Sequence, residues 1–335
     1  MTPDDRTGYQ RAGVDLRAAE DTLSRIERAV ESTYTPGVLR GLGAFGGLFA
    51  MPTGLREPVL VASTDGVGTK TMIATALDAF ETIGRDLVNH CVNDILVQGA
   101  TPLFFLDYVA SARLVPETTA RVVQGVADAC RGAGMALLGG ETAEMPGVYH
   151  EGELDLAGTI VGVVERAAIV DGAKVQEGDV LLGLGSGGLQ TNGFSLARSV
   201  LGGELHEPFA GGTVGAALLA EHRSFLPAVR PLLEAGLVKA MAHVTGGGLP
   251  GNLPRSLPTG LGATVTRGTW PEPEVFALLR RRGDLAADEM FEVFNMGVGF
   301  VVVVADDDVE RARGLTDEPL YAIGNVTRGE GVRVV

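Results

Sequence analysis

The stretch Pro58-Val-Leu-Val-Ala-Ser-Thr-Asp-Gly-Val-Gly-Thr-Lys70 passes abruptly from an apolar run into polar residues and glycine. A short apolar run closed by a turn signal predicts a buried strand, here over 58–63, that delivers a carboxylate (Asp65) and an ammonium (Lys70) at its end. Next in the chain, Leu87, Val88, Cys91, Val92, Ile95 and Leu96 recur at helical period, predicting a helix over 83–98 with Gly99 as its stop. The opposite arc carries Asp86, Asn89, His90, Asn93 and Asp94, either as a solvated face or as part of a site.

Upstream, Leu16, Ala19, Leu23, Ile26 and Val30 mark an amphipathic helix with Asp15 as N-cap. Downstream, the pattern predicts a strand over 103–109, a helix opened by Pro116 and running through Cys130, a short strand over 136–138, and another over 154–164. Turn signals cluster at 166–176, where a domain boundary is expected. The second half predicts strands at 179–184, 262–266, 297–304 and 320–335, with helices at 192–201, 213–236, 273–282 and 307–314. Both halves mix helix and strand, and no fixed-period repeat appears.

A chain of 335 residues fits two domains, and 45% hydrophobic with 21% charged residues is the composition of a folded protein. The formal net charge of −15 gives no long-range attraction to nucleic acid or an anionic membrane surface. A small phosphorylated ligand stays open, because local N–H groups or a bound cation outweigh the mean field. The two cysteines, Cys91 and Cys130, fall in predicted helices, which implies no disulfide framework and suggests a reducing cytosol. No run reaches the roughly 18 apolar residues of a membrane span, and the first residues lack a signal-peptide core.

Three glycine-rich turns resemble nucleotide signatures. Gly41-x-Gly43-x-x-Gly46 follows a helix rather than a strand, and Gly183-x-Gly185-x-x-Gly188 lacks the acidic ribose ligand expected about 20 residues on. Thr69 stands where a P-loop needs glycine before its lysine. What remains is a combination: Asp65 with Lys70, the acids and amides of 86–94, and Glu141 after Gly139-Gly140. Carboxylates beside flexible glycines suit Mg²⁺ on a nucleoside triphosphate, with backbone N–H groups approaching phosphate. Asp65 before Gly66 also reads as a plain turn aspartate. Of the 27 Lys+Arg residues only Lys70, Lys174 and Lys239 are lysines, so a compact ammonium is singled out at 70, while the other two look like surface residues. In the second half, Ser186-Gly-Gly-Leu-Gln-Thr-Asn-Gly193 joins a strand to a helix, where an anion or an ordinary cap fits. Ala242-His-Val-Thr-Gly-Gly-Gly248 adds a histidine, a hydroxyl and three glycines whose ordering entropy a ligand contact would justify.

These residues carry a resemblance to a known family. Tyr9-x-x-Ala-Gly-Val-Asp15, Gly41-Leu-Gly-Ala-Phe-Gly46, Thr64-Asp-Gly-Val-Gly-Thr-Lys70, Cys91-Val-Asn-Asp94, Gln98-Gly-Ala-x-Pro-Leu-Phe-Phe-Leu-Asp-Tyr108, Gly139-Gly-Glu-Thr-Ala-Glu-Met-Pro-Gly147, Thr191-Asn-Gly-Phe-Ser-Leu196, His243-x-Thr-Gly-Gly-Gly248 and Phe294-Asn-Met-Gly-Val-Gly299 appear in order. The chain resembles the phosphoribosylformylglycinamidine cyclo-ligases, or aminoimidazole ribonucleotide synthetases. The resemblance implies an α+β fold of two domains: 1–168 for ATP and Mg²⁺ binding and dimerisation, and an α/β domain, 169–335, completing the substrate site. Amino-terminal domains would pair into a β-barrel in a cytoplasmic homodimer. ATP would convert the formyl amide oxygen of formylglycinamidine ribonucleotide into an iminophosphate, and the amidine nitrogen would then close the ring to 5-aminoimidazole ribonucleotide, releasing ADP and phosphate. By position, Asp65, Asp94 and Glu141 would be catalytic with Lys70 and would hold Mg²⁺. Gly66, Gly68, Thr69, Lys70, Asn93, Gly139 and Gly140 would meet the nucleotide. Gly188, Gln190, Thr191, Asn192, His243, Thr245, Gly246, Gly247 and Gly248 would meet the phosphorylated substrate. The chain departs from the family pattern at Gln190, where the family carries His, and at Glu221-His-Arg-Ser-Phe225, where it carries Pro-Thr-Arg-Ile-Tyr. Another ATP-dependent relative, of the thiamine monophosphate kinase or selenophosphate synthetase type, or a non-catalytic relative, is the alternative.

Overall fold

A computed structural model describes residues 7–335; the first six, expected in the amino-terminal domain, lie outside the described residues. The chain divides into two compact units. The first takes the chain up to Leu55, Ala62–Cys91 and Pro102–Gly162, and the second takes Arg56–Val61, Val92–Thr101 and Val163–Val335.

In the first unit Asp15 caps the helix Leu16–Glu31, its carboxylate accepting from Arg17 N–H at 3.0 Å. That helix buries only a narrow stripe, Thr22, Ile26 and Val30, against the helix Pro116–Ala133 and the strand Ala136–Glu144. Pro116 sits in the first turn of its helix, and Gly134 ends it at φ 71°, a left-handed backbone that suits glycine. Close approach fixes the helix pair Phe80–Leu96 and Pro116–Ala133: a Cβ at Gly84 would overlap the Val122 carbonyl, and one at Gly125 the Glu81 carbonyl.

The four-stranded sheet runs in the order Pro58–Gly66, Leu154–Glu165, Thr101–Ser111, Ala136–Glu144. Two expectations change here. The strand from Pro58 is not buried: among the described residues it stands at the sheet edge, and exposed and half-buried residues alternate along it up to Asp65 as side chains point to the two faces in turn. The strand from Ala136 does not stop at Leu138 but continues through Gly139-Gly140 to Glu144, parallel to Thr101–Ser111, with Asp107 opposite Gly140 and Tyr108 opposite Glu141. A Cβ at Gly140 would overlap Asp107 Oδ1, so that glycine lets the two strands lie close. Cys91 and Cys130 are buried free thiols in helices.

The second unit holds a six-stranded sheet in the order Ala240–His243, Val298–Val304, Val180–Gly185, Tyr321–Arg328, Leu261–Val265, Val332–Val334. Expected as α/β, it is mainly antiparallel, and only Leu261–Val265 with Val332–Val334 is parallel. Val180–Gly185, antiparallel to both neighbours, cannot be the first strand of a dinucleotide-binding βαβ unit, which removes that role from Gly183 to Gly188. The all-buried Val298–Val304 forms the core of this sheet. The helical stretches expected over 213–236 are the helices Val214–Leu218 and Leu226–Glu234; the strand Ala240–His243 and the helix Ala287–Val293 add to the expected elements. Among the described residues no helix is long and apolar enough to cross a membrane.

Candidate active site

The polar arc of the helix Phe80–Leu96 is not a solvated face: Asp86 and Asn93 have no exposure, and His90 and Asn89 are buried. Burial of such groups is tolerated only when they are paired. In the first unit, Lys70 opens the helix Lys70–Ala76 with its ammonium 2.7 Å from Asp86 Oδ2, both side chains at 0% exposure. Lys70 is therefore half of a buried ion pair tying two helices together rather than an ammonium standing open at the strand end. His90 Nε2 lies 2.7 Å from Asp65 Oδ2, while Asp65 Oδ1 accepts from Gly66 N–H at 2.7 Å. Asp65 remains 40% exposed, so it reaches solvent from the edge strand.

Glu141 is exposed and shares a cavity of about 240 Å³ with Gly139, Gly140 and Asp107 beneath the helix Leu16–Glu31. Asp65 and Glu141 stand on opposite edge strands with two strands between them, so a single chain does not gather them at one point. Burial pushes the Asp107 carboxyl up to about 7, its own backbone N–H opposing the rise. Sequence inspection passed over Asp107, although it lies inside the Leu106-Asp-Tyr108 motif. Gly68, at φ 64°, and Thr69 form the turn into the helix Lys70–Ala76.

In the second unit the turn 186–193 and the loop 245–248 come together, since a Cβ at Gly246 would lie 3.5 Å from Asn192 Oδ1. Asn295 braces the turn: it bonds Ser186 Oγ at 2.9 Å, donates to the Gly188 and Leu189 carbonyls, and accepts from Gly297 N–H. Asn252 plays the same part for the loop, donating to the carbonyls of Thr245, Gly246 and Gly248. The glycine run has a structural reason as well. Gly247 and Gly248 both take positive φ, 93° and 57°, and a Cβ at Gly248 would overlap the Phe291 carbonyl. Gln190, expected at the substrate, is 1% exposed at φ 63°, turned inward so that a Cβ on Gly299 would stand 2.6 Å from its Nε2. Thr191 and Asn192 follow it into the helix Phe194–Leu201, and Asn192 Nδ2 is buried with no hydrogen-bond partner among the described residues.

His243 ends its strand with Nδ1 2.8 Å from Asp94 Oδ1. Asp94 keeps 26% of its side chain exposed, and the adjacent Asn93 donates to the Arg223 carbonyl at 2.8 Å. Lys239 is no free surface lysine, because it pairs with the buried Asp179 at 2.6 Å. His222, noted in the sequence only within a departure from the family pattern, is fully buried between Thr191 and His243.

Residues 54–164 match the N-terminal domain of the AIR synthase related proteins, and residues 176–335 match their C-terminal domain. A phosphoribosylformylglycinamidine cyclo-ligase of Desulfitobacterium hafniense (strain DSM 10664 / DCB-2) is 49% identical over 335 residues, spanning 97% of this chain and 98% of its own. Thiamine-monophosphate kinase from Stenotrophomonas maltophilia K279a shares the fold with a TM-score of 0.66 at 21% identity, over 94% of this chain and 95% of that one. The hydrogenase maturation protein HypE in complex with ATP does so with a TM-score of 0.62 at 19% identity, over 97% and 88%. With both domains matched and nearly half of its residues identical to those of a relative aligned almost end to end, the chain belongs to the phosphoribosylformylglycinamidine cyclo-ligase family of AIR synthase related proteins.

Proposed function

We infer that this chain is the enzyme that uses ATP to close formylglycinamidine ribonucleotide to 5-aminoimidazole ribonucleotide in purine biosynthesis. The observation that carries the inference is 49% identity to a cyclo-ligase over 97% of the chain. The site geometry is compatible with it. An amide oxygen is a poor leaving group, and phosphorylation makes it a good one; holding the amidine against the same carbon supplies the proximity that ring closure needs. Thr191, Asn192 and the loop 245–248 are the groups to bind the phosphorylated substrate, because Asn192 offers a buried donor lacking a protein acceptor.

Solvent-reaching carboxylates are hard oxygen donors and fit Mg²⁺. Asp65, Asp94 and Glu141 are the residues that would hold it, and the ion would neutralise triphosphate charge. Gly66, Gly68, Thr69, Gly139 and Gly140 would meet the nucleotide, Lys70 acts by holding Asp86, and Asn93, expected at the nucleotide, instead has no exposure and spends its amide on Phe225 N–H and the Arg223 carbonyl. ADP release should rise at least tenfold when formylglycinamidine ribonucleotide is added, and not with thiamine monophosphate. Release that follows thiamine monophosphate instead would move the chain to the kinase branch of the fold. Asp94→Asn should raise the Mg²⁺ concentration for half-maximal turnover by about tenfold or more, near 1.4 kcal/mol, while shifting the melting temperature little. A lowered melting point with unchanged Mg²⁺ dependence would make Asp94 a structural acid.

We also propose a cytoplasmic homodimer built on the amino-terminal sheet. Among the described residues the strand Pro58–Gly66 stands at the edge of its sheet, with Leu60 57% exposed, the kind of edge that a second copy covers. Asp65 and Glu141 occupy opposite edges, so one ion held by both would draw on two copies. Light scattering at micromolar concentration should give twice the 34.8 kDa chain mass, and a monomer mass would end the proposal.

A further inference from the structure

The second unit holds a cavity of about 510 Å³ that the reaction scheme above leaves unused, lined by the helices Glu274–Gly283 and Ala287–Val293 together with Arg267, Glu272 and Met296. Small-molecule sites have this size, about 300–1,000 Å³. Its apolar floor is Phe276, Met290 and Met296, all buried. Its charged side is arginine, in a chain whose 42 acids outnumber its 27 bases. Arg280 and Arg281 both line it, and neither has an ion-pair partner among the described residues. Arg282, next in the chain, turns to Glu204 at 3.3 Å instead. Cations suit the last turn of a helix, which by itself accounts for a basic 280–282. It does not account for Arg267, which reaches the same cavity from beyond the strand Leu261–Val265, its guanidinium 4.8 Å from the centre of the Phe291 ring and 4.0 Å from Glu272 Oε1. Three guanidiniums from two parts of the chain thus line one cavity with an apolar floor.

We propose that this cavity binds a small organic phosphate, the phosphate held by Arg280 and Arg281 and the apolar or planar body laid against Phe276, Met290 and Met296. A guanidinium is always charged and its fork meets phosphate oxygens two at a time, so it is the side chain to hold such a group in a protein of net charge −15. Glu272 and Asp284 line the same cavity. Carboxylates accept from hydroxyl or amino groups and repel a bare anion, so the ligand that fits carries donors besides its phosphate, as a nucleotide does. Trp270, the one tryptophan of the chain, reports on the site. Its indole N–H donates to the Met296 carbonyl at 2.8 Å, and Met296 is both part of the floor and the neighbour of Asn295, which braces the turn 186–193.

The test follows tryptophan emission as AMP, adenosine or inorganic phosphate is added to wild type, to Arg280→Met/Arg281→Met and to Ala277→Glu, with thermal melting of each protein alongside. Wild type should show a saturable change with AMP below about 1 mM. Adenosine lacks the phosphate, and inorganic phosphate lacks the body and its donors, so each should bind about tenfold or more weakly than AMP. Removing the two charges should weaken AMP by about tenfold or more, the scale of charge-assisted hydrogen bonds. Ala277→Glu, which brings a carboxylate into the lining from an exposed position, should do the same. All three substituted positions are exposed, so both variants should melt near wild type, and if one melts early the other still decides. Affinity for AMP unchanged in both variants, adenosine or phosphate binding as tightly as AMP, or no saturable change up to about 1 mM would each overturn the proposal. So would an AMP affinity that falls when formylglycinamidine ribonucleotide is added, because AMP would then be seated in the turn 186–193 and not against Arg280 and Arg281.

Discussion

Lys70→Met is expected to cost about 3–5 kcal/mol of stability, the loss usual when one partner of a buried ion pair is removed and its counterion stays behind. Lys70 and Asp86 are both at 0% exposure and meet at 2.7 Å, so the carboxylate left by the variant would have neither water nor its cation. For domains of this size the melting temperature should fall by roughly 6–20 °C. The companion change distinguishes strut from ligand. In Lys70→Met/Asp86→Leu two apolar side chains replace the pair, and such replacements are commonly neutral in stability. If Lys70 only ties its helix to Phe80–Leu96, the double variant should recover both melting temperature and ATP-dependent turnover. Recovery of melting temperature with turnover still lost would mean that the ammonium also serves the nucleotide. Scanning calorimetry beside ADP release separates these results, and a single variant melting within 1 °C of wild type would refute the strut.

Local signals carried most of the elements. The N-cap at Asp15, the proline that opens Pro116–Ala133 and the helical period of 83–98 each depend on neighbours within a few positions, which is the range a sequence exposes. The misplaced features depend on partners far along the chain. Gly139-Gly140 reads as flexible glycine beyond a strand that stops at 138 until Asp107 is seen lying over Gly140, a contact between neighbouring strands. The apolar run from Pro58 reads as buried because nothing local says that the sheet ends there. The site behaved in the same way. Scarcity of lysine correctly marked Lys70 as unusual, yet its partner, Asp86, is chosen by helix packing. Gln190 and His222, both departures from the family pattern, lie more than thirty positions apart and still flank Thr191, one preceding it in sequence and the other bonded to its hydroxyl. Of the two residues that hold the glycine-rich segments in shape, Asn252 offered no signal beyond residue type, while Asn295 lay inside the Phe294–Gly299 motif with nothing local to show that it braces a turn more than a hundred positions away.

Asp107→Asn is expected to stabilise the protein at pH 8 and to leave it nearly unchanged at pH 4. Burial raises this carboxyl from its ordinary 3.8 to about 7, and the group sits against Gly140 in the cavity beside Glu141. In the unfolded chain it ionises near its ordinary value, so between about pH 4 and 7 the folded state binds the additional proton. A group of this kind contributes its full share of stability below the unfolded pKa and loses it as pH rises through the folded one. At 1.36 kcal/mol for each pH unit between the two values, the loss reaches at most about 4 kcal/mol by pH 8, when the folded protein must carry a desolvated carboxylate. Asparagine keeps the shape and the hydrogen-bonding oxygen without the charge, so the variant should escape that decline. The same charge helps to hold the Cys130 thiol above its ordinary range, second to burial, so removing it should ease but not abolish that shift. Urea unfolding of both proteins at half-unit steps from pH 4 to 8 gives the difference curve directly. It should start near zero at pH 4, climb steadily between about pH 4 and 7, and level off above pH 7. A difference that is constant across the range would mean that Asp107 titrates at its ordinary value and is wetter than its place over Gly140 implies.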